Sequence, residues 1–482
     1  MPEVADALAA SPAAAPRTSP PVFAFLAFTS GSYEGAIIRD MRLANDLHRR
    51  GFKVHIYWMM EKNTDLVDKG IPQTWLVSGL RYQFKKPSGL MDFIGGLFSI
   101  FPAQRRRLFL NQHPEYVAGL MGNLMRVICD NGRGDPGLLA RLEKRLIADK
   151  VTHLLPTFAW TCPIAERVKE RGRAKFDYLP TFQGEEIFAH FAMHIGRLDD
   201  YHAALRQTIK GSPWPSVAVS KDYIGRLHDE MGIDPAGVRP IYPGIELPEE
   251  KRVARSEEPE SDQSAIGNSQ SAITQDSALR TQDFAALKTI FRSLNPDIPM
   301  VTYLGRQDPE KGIDLLLYAA RMLGDRGIKL QVVCVGGSSF GLQYRKSMEA
   351  IAEHLRLHVF WKGRVTNAMR TALFRQSRCV VYPSIHREPF GMVAAEAMSY
   401  STPVLVPALG GITEVIEVNS QQGGLAFRAW DTVDLARQLE RLLTDEALYA
   451  KLQADARPLA ELFTVERMTD AVLGHMNLPM RP

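Results

Sequence analysis

The chain has 482 residues, of which 45% are hydrophobic and 23% are charged. This length and composition exclude a disordered chain and favour two globular domains with sizeable cores. The formal net charge of +4 is too small to indicate nucleic-acid binding, and no apolar run reaches the roughly 18 residues that span a bilayer.

Two further features bear on the compartment. The four cysteines lie far apart and form no CxxC pair. This pattern favours reduced thiols in a cytoplasmic protein and gives no metal-binding cluster. Residues 1–20 are rich in Ala and Pro and carry acids where a signal peptide carries bases, so we expect a flexible tail and no secretion.

The first half of the chain alternates apolar runs with amphipathic segments. PVFAFLAF predicts a buried strand, and the loop TSGSYEG leads into a helix closed by Gly51. FKVHIYWM, THLLPTF, FDYLPTF and SVAVS predict further strands. This rhythm indicates a parallel sheet covered by helices, and we place this N-terminal, acceptor-binding domain at 21–245.

One stretch of the first half, residues 81–110, mixes basic and apolar side chains. It interleaves Lys85, Lys86 and Arg105–Arg107 with Phe, Leu and Ile. Such a mixture suits an anionic membrane surface and would place the protein at the inner face of a membrane. A helical excursion with a solvated charged face fits the same residues equally well.

The composition changes between the halves. Residues 246–297 are rich in Ser, Gln, Asp and Glu, which predicts a disordered linker or insertion. Beyond it, β segments such as MVTYLG, KLQVVCVGG and CVVYPS alternate with helices, so we expect a second doubly wound domain at 298–462. Residues 463–482 are predicted to form a helix that packs back toward the first domain. Ligands bind at the carboxyl ends of such strands, so the active site is expected between the domains.

Three loops of the second half lead into helices at the ligand edge of its sheet. LGRQDPEKG places Arg306 and Lys311 around a Pro turn, and two cations on one loop suit a diphosphate. HREPFGMVAAEAM places Glu388 before a Pro-Phe-Gly turn and Glu396 in the helix that follows. PALGGITEVIE adds a Gly-Gly loop. Each motif alone also fits a solvated surface, but three at one edge indicate an anion site.

GRQDPEKG, KGRV, YPSIHREPFGMVAAEAM and GGITEVIE, in this order, resemble the C-terminal half of retaining glycosyltransferases of family 4, the group 1 glycosyltransferases. The likeness covers residues 301–417, and in the first half only the first loop, TFQGEE and YPGIEL match. It implies an α/β protein of the GT-B fold, with two Rossmann-like doubly wound domains facing each other across a cleft.

The family resemblance also implies an activity. A hexosyl group would move with retention, without a metal or cofactor, from a UDP-, GDP- or ADP-sugar to a hydroxyl of a glycan or lipid-linked acceptor. Retention would follow from front-face attack, with the leaving phosphate assisting deprotonation of the acceptor. Two alternatives stay open: a nucleotide-sugar epimerase, which needs no acceptor, and a catalytically silent nucleotide-sugar-binding scaffold.

The resemblance assigns roles to single residues. Arg306, Lys311 and Glu388 are the expected catalytic group, with the two cations on the donor diphosphate and Glu388 on the sugar. Glu396 is expected to contact the ribose. The full set of expected donor contacts is Gly31, Gly35, Gly305, Arg364, Val365, Phe390, Gly391, Met392, Val393 and Glu396.

One position departs from the family pattern. Where members often carry a His-Gly pair, this chain has Gln183 and Gly184, followed by Glu185. Glutamine can hydrogen-bond a sugar hydroxyl but does not titrate. We therefore expect Gln183 or Glu185 to contact the acceptor or the sugar.

Overall fold

The computed structural model describes residues 20–29, 35–60, 64–98, 114–248, 279–338 and 342–482. The chain divides into two compact units, Met1–Gly244 with Val465–Pro482 and Ile245–Thr464. The predicted tail lies outside the described residues except for its last position. Within the described ranges, no helix combines the length and the hydropathy needed to cross a bilayer.

The first unit is built on a five-stranded parallel sheet with the spatial order β3-β2-β1-β4-β5. A smaller parallel sheet has the order β6-β7-β8. The strands are β1 (Val22–Thr29), β2 (Lys53–Met60), β3 (Gln73–Ser78), β4 (His153–Pro156), β5 (Asp177–Tyr178), β6 (Thr181–Phe182), β7 (Ser216–Ala218) and β8 (Val238–Pro240). The helices are α1 (Gly35–Arg49), α2 (Gly89–Phe98), α3 (Pro114–Cys129), α4 (Pro136–Ala148), α5 (Cys162–Glu170), α6 (Glu186–His194), α7 (Leu198–Gly211) and α8 (Lys221–Met231).

Strand β1 lies at the centre of this sheet because its sequence is apolar on both faces. Every residue from Phe23 to Ala27 is fully buried, and the strand pairs in parallel with β2 and β4. A strand buried on both faces needs a continuous apolar run rather than an alternating one. Helix α1 covers one face with Ile37, Met41 and Leu47, which are also buried.

The second unit contains a six-stranded parallel sheet with the order β11-β10-β9-β12-β13-β16 and a two-stranded antiparallel hairpin, β14-β15. The strands are β9 (Met300–Leu304), β10 (Gln331–Val335), β11 (Val359–Lys362), β12 (Cys379–Val381), β13 (Val404–Pro407), β14 (Glu417–Val418), β15 (Gln421–Gln422) and β16 (Gly424–Phe427). The helices are α9 (279–290), α10 (Ile313–Asp325), α11 (Gln343–His354), α12 (Asn367–Gln376), α13 (Met392–Met398), α14 (Thr413–Ile416), α15 (Thr432–Thr444) and α16 (Glu446–Ala460).

The strand order of the second unit reverses beside β9. Strands β10 and β11 lie on one side of β9, whereas β12 and β13 lie on the other. Open α/β sheets bind ligands outside the carboxyl ends of the strands at such a switch point. The loops that follow β9 and β12 are therefore neighbours at the position where a ligand is expected. Both units are doubly wound and Rossmann-like, which confirms the predicted fold class.

The predicted linker does not extend over residues 279–297. Residues 249–278 lie outside the described part of the chain, but α9 follows them, and Leu287, Phe291 and Leu294 are buried in the core of the second unit. Leu287 lies in α9, and Phe291 and Leu294 follow the end of this helix. The prediction of a linker over 279–297 is wrong, because the polar residues around these three apolar ones dominated the composition.

A helix near the C-terminus, α17 (Val465–His475), belongs to the first unit. Its buried residues Val465, Met468, Val472 and Leu473 share a core with β1, β2 and α1. The side chain of Arg50, just after α1, is ion-paired with Asp470. This last helix therefore completes the core that the first part of the chain begins.

Candidate functional site

The loop after β9 holds the first predicted cation. Arg306 Nη2 lies 2.8 Å from Glu310 Oε1, and its Nη1 is paired with Asp308. Asp308 is fully buried and accepts a 2.6 Å hydrogen bond from Ser338 Oγ, on the loop after β10. Burial alone would lower the pKa of Arg306, but Glu310 and Asp308 raise it. The guanidinium is therefore a fixed positive charge at the edge of the sheet.

Lys311 and Glu388 form a buried ion pair across the switch point. Lys311 follows β9 and Glu388 follows β12, and Lys311 Nζ contacts Glu388 Oε1. Their side chains are only 7% and 10% exposed. Ser384 Oγ donates a 2.8 Å hydrogen bond to the same carboxylate oxygen. Lys311 Nζ also lies 5.5 Å from the ring centroid of Tyr382, within range of a cation–π contact.

This pairing keeps both groups charged near neutral pH. Burial alone would raise the pKa of Glu388, but the charge and hydrogen bond of Lys311, with further help from His386 and Ser384, lower it. Burial alone would lower the pKa of Lys311, and Glu388 raises it. The site therefore presents an ammonium and a carboxylate side by side.

Glycines let the loops at this edge meet through their main chains. Gly336, after β10, has φ +141, and a Cβ there would lie 1.7 Å from Gly305 O. Gly410, after β13, has φ +91, and a Cβ there would lie 2.6 Å from Glu388 O. Gly411 N donates a 2.8 Å hydrogen bond to Glu388 O. Because a side chain at either glycine would collide with the main chain, only glycine fits these two positions.

The loop after β12 leads directly into α13. Gly391 is the residue before the helix, and Met392 and Val393 lie half-buried in its first turn. The ring of Phe390 is buried against Phe463, with 5.4 Å between ring centroids. The expected donor contacts of this motif are thus gathered on one short segment.

Glu396 lies one turn further along α13 and is buried. Its Oε2 is 3.2 Å from Nη1 of Arg370, on α12. Arg364 and Val365 precede α12, where Arg364 is exposed and Val365 packs on the core of the unit. Gln307 donates hydrogen bonds to Gly336 O and Lys362 O, which ties the loops after β9, β10 and β11 together.

Glu185 is enclosed by the protein. Its carboxylate accepts hydrogen bonds from the backbone N–H groups of Ala159, Gln183 and Gly184 at 2.7 to 3.0 Å, and from the hydroxyl of Tyr223. Burial and the neighbouring Glu186 raise the pKa of Glu185 to about 8, against these backbone hydrogen bonds. Glu185 has no exposed surface. It therefore holds the shape of its loop, in contrast to the expectation that it contacts a substrate.

Gln183 is fixed from two sides. Its Nε2 donates to Thr157 O, after β4, and its amide is also hydrogen-bonded to the Asp40 carboxylate, on α1. Asp40 is paired at 2.7 Å with Arg39, and burial raises its pKa to about 6, although Arg39, Thr157 and Gln183 oppose the shift. Gln183 therefore joins three elements of the first unit at the carboxyl edge of its sheet.

The remaining predicted contacts are the glycines after β1. Gly35 is the first residue of α1, and Gly31 lies outside the described residues. Among the residues that the structure does describe, no three His, Cys, Asp or Glu side chains are grouped to hold a metal ion.

Sequence reasoning missed Asp308, Ser384 and Arg370. Asp308 and Ser384 stand inside the motifs that were recognised, and the alternation of charges in RQDPEK is a signal for the pairing of Asp308 with Arg306. Arg370 gave no signal, because its partner lies 26 residues further along the chain.

Comparison with known proteins gives a family for the second unit. Residues 288–458 match the model of the family described as "Glycosyl transferases group 1". The D-inositol 3-phosphate glycosyltransferase of Salinispora arenicola is 31% identical over 264 residues, which are 53% of this chain and 53% of that protein. The enzyme of the same name from Rhodococcus opacus is 35% identical over 189 residues, 37% of this chain and 41% of that protein. The chain thus matches about half the length of these curated relatives or less.

Solved structures resemble the whole chain more weakly in sequence. Anabaena HepE in complex with UDP and glucose superposes with a TM-score of 0.64 at 16% identity, covering 94% of this chain and 99% of that one. Sucrose-phosphate synthase from Thermosynechococcus elongatus gives 0.61 at 17% identity, covering 94% and 97%. These likenesses establish the GT-B fold. Residues 288–458 are therefore similar to the group 1 glycosyltransferases, within a chain of the GT-B fold, in agreement with the family resemblance seen in the sequence.

Proposed function

We propose that the protein is a retaining glycosyltransferase that moves a hexosyl group from a nucleoside diphosphate sugar to a hydroxyl of a glycan or lipid-linked acceptor. The observation that carries this proposal is the grouping of Arg306, Lys311 and Glu388 at the switch point of the second unit. Two cations and one ionised acid lie where the family resemblance expects the diphosphate and the sugar of the donor.

The donor proposed for the first tests is UDP-glucose. HepE, which has the same fold, was solved with UDP and glucose. In this chain, Arg364 and Val365 are the proposed contacts to the base, and Glu396 is the proposed contact to the ribose. The base is proposed to be contacted mostly through main chain, so the side chains do not identify it. GDP- and ADP-sugars are therefore the other members of the test panel.

The reaction breaks the bond between C1 of the sugar and the oxygen of the leaving phosphate. Negative charge grows on that phosphate while C1 takes on oxocarbenium character. A cation about 4 Å from the growing charge contributes on the order of 4 kcal/mol at an effective dielectric constant near 20. Arg306 and Lys311 are proposed to supply this stabilisation in place of a metal ion.

Glu388 is proposed to hold the donor sugar. Because its pKa is lowered by Lys311, the carboxylate is ionised near neutral pH and accepts hydrogen bonds rather than donating a proton. Front-face attack by the acceptor hydroxyl, with its proton passing to the leaving phosphate, would then give retention of configuration. Neither carboxylate of the site needs to act as a nucleophile.

The acceptor is proposed to bind on the first unit, with Gln183 at its contact edge. The amide of Gln183 is held by Thr157 and Asp40, so its orientation is set before a substrate arrives. The curated relatives are named for inositol 3-phosphate, so this polyol phosphate belongs in the acceptor panel beside lipid-linked sugars.

The first unit is also proposed to meet an anionic membrane from the cytoplasmic side, through α2 and the residues before it. Phe84, Leu90 and Phe93 are 60%, 67% and 66% exposed. Lys85 and Lys86, between them in sequence, are exposed too. Exposed large apolar groups next to cations suit the interface of an anionic bilayer. The predicted cluster Arg105–Arg107 lies outside the described residues.

The proposal is tested first by thermal shift with UDP-, GDP- and ADP-sugars. A donor at 100 times its dissociation constant stabilises the folded protein by about 2.7 kcal/mol. The donor that binds is then incubated with acceptor candidates, and the anomeric configuration of the product is read by proton NMR. An α-linked product from an α-linked donor supports retention. A free epimerised sugar nucleotide would identify an epimerase, and binding without turnover of any acceptor would favour the scaffold.

A further inference from the structure

We propose that Arg370 is a positioning residue for the nucleotide, because it orients the Glu396 carboxylate toward the ribose hydroxyls of the donor. This inference rests on the proposed function and adds a residue to its donor site. Arg370 lies outside every motif that carries the family resemblance.

The contact itself joins two helices. Nη1 of Arg370, on α12, lies 3.2 Å from Oε2 of Glu396, on α13. The Glu396 side chain is 8% exposed and that of Arg370 is 30% exposed. An ionised carboxylate offers about four acceptor positions on its two oxygens, so a guanidinium on Oε2 leaves capacity for a diol. A guanidinium that reaches in from the rim can therefore hold the acid while the acid binds a ribose.

Glu396 gains from such a partner because its side chain is flexible and its carboxylate is buried. Ordering a Glu side chain costs rotamer entropy, and a buried carboxylate is stable only when it is hydrogen-bonded. If Arg370 orders the Glu396 side chain and hydrogen-bonds its carboxylate before the donor binds, the ribose does not have to supply these contributions. The contact thus pre-organises the hydrogen-bond acceptor that the ribose hydroxyls need.

Helix α12 is itself fixed against the segment that carries Glu396. Thr371 Oγ1 lies 2.9 Å from Tyr400 Oη, and the rings of Phe374 and Tyr400 lie 5.6 Å apart between centroids. Thr402 Oγ1 donates a 2.7 Å hydrogen bond to Phe374 O. These contacts share one side of the helix with Arg370 and do not involve its guanidinium, so a change at residue 370 leaves the packing of α12 in place.

The position of α12 also relates two parts of the donor site. Arg364 and Val365, the proposed base contacts, directly precede Thr366, whose side chain caps α12 by accepting a hydrogen bond from Met369 N. Arg370 N donates to Thr366 O one turn later. One helix therefore begins at the base-side loop and reaches the ribose-side acid within its first turn.

The experiment compares nucleotide binding by four full-length proteins: wild type, Arg370→Met, Arg370→Lys and Arg375→Met. Arg375 is a matched control, because it lies on the same helix, is 27% exposed, and pairs at 3.3 Å with Asp283 instead of Glu396. Each protein is titrated calorimetrically with UDP and with 2′,3′-dideoxy-UDP. If GDP or ADP binds better in the thermal-shift panel, that nucleotide and its dideoxy form are used.

Wild type is expected to bind UDP roughly tenfold to a hundredfold more tightly than the dideoxy form, as hydrogen bonds to a charged group allow. In Arg370→Met this ratio should fall below about threefold, because the dideoxy nucleotide loses nothing when Glu396 is misplaced. Arg375→Met should keep the wild-type ratio. Arg370→Lys should recover part of it, since an ammonium can replace the lost hydrogen bond to Glu396.

Two results overturn the inference without touching the proposed function. One is a wild-type ratio retained by Arg370→Met. The other is an equal loss of affinity for both nucleotides, which the removal of any nearby positive charge would produce. Failure of wild type to bind UDP, GDP and ADP would instead contradict the donor site itself, and with it both proposals.

Discussion

Lys311 and Glu388 depend on each other for stability, while each is proposed to serve a different part of the donor. An ion pair this deeply buried is held in place chiefly because either charge alone would be costly in the interior. The pair also brings together two loops that are 77 residues apart in the chain. Its loss should therefore be visible in folding and in catalysis by separate measurements.

Replacing Lys311 with Met removes the ammonium and leaves the Glu388 carboxylate buried without its counter-charge. We expect the free energy of unfolding, measured by urea denaturation, to fall by about 3–5 kcal/mol. Turnover should fall by more than about a hundredfold, since the leaving phosphate loses a stabilising cation.

The double variant Lys311→Met with Glu388→Gln separates the two effects. With both charges gone, most of the lost stability should return, as it does when buried pairs are replaced together. Activity should stay as low as in the single variant. A Lys311→Met protein that turns over near the wild-type rate would rule out the proposed role at the phosphate.

Asp40 gives a dependence of stability on pH. Burial raises its pKa from 3.8 to about 6, so the folded protein binds more protons than the unfolded chain between these values. Stability therefore falls as the pH rises through this window, by up to about 3 kcal/mol for a shift of this size. Asp40→Asn cannot titrate at this position, so its free energy of unfolding should rise relative to that of wild type from pH 4 to about 6. The free energy of unfolding of both proteins is measured with urea across this range, and a constant difference between them would disprove the raised pKa of Asp40.

At the level of elements, α2 is held to the first unit by one of its own acids. Asp92 is ion-paired at 2.6 Å with Arg81 and at 2.8 Å with Arg141, and it accepts a hydrogen bond from Ser78 N. Arg81 is paired in turn with the fully buried Asp135. The polar contacts thus lie on the protein side, while large apolar groups of the same helix stay exposed.

Phe93 is the residue with which to test membrane contact by α2. Phe93→Asp removes apolar area from the exposed side and adds a charge that anionic lipid repels, so sedimentation with phosphatidylglycerol vesicles should fall several-fold. Val433→Asp is the matched control, since Val433 is 61% exposed on the second unit, close to the 66% of Phe93. Binding of wild type to neutral phosphatidylcholine vesicles as strongly as to phosphatidylglycerol vesicles would argue against an electrostatic contribution.

At the scale of the whole molecule, the first unit is assembled from both ends of the chain. Its core combines strands from the first sixty residues with α17, where Val472 is fully buried and Met468 nearly so. A truncated chain that ends at residue 464 would expose this apolar surface. Residues 465–475 must therefore be made before the first unit can close its core.

Deleting residues 465–482 should leave the first unit unfolded or aggregated, because several core residues are lost at once. Deleting only 479–482, which are exposed, should leave thermal unfolding unchanged. The two deletions are compared by calorimetry and by the yield of soluble protein. A stable first unit without α17 would show that the helix only covers a core that is already complete.

The sequence was sufficient to predict the alternation of strands and helices, because apolar periodicity and loop motifs are local. It also placed Arg306, Lys311 and Glu388 on loops at one sheet edge. It could not pair Lys311 with Glu388, since that contact depends on which strands become neighbours. It missed α9, where the buried Leu287 stands among polar residues, and it could not tell that Glu185 turns inward.

The main-chain contacts at Gly336 and Gly410 have a consequence for how proteins with this site can diversify. The loops that carry the proposed donor contacts are registered against one another partly by glycine and carbonyl oxygen, and this part of their placement does not depend on the side chains they display. Side chains at positions such as 364 or 393 are therefore open to exchange one at a time without a new loop geometry. A library aimed at a different sugar nucleotide should vary those positions and keep both glycines constant.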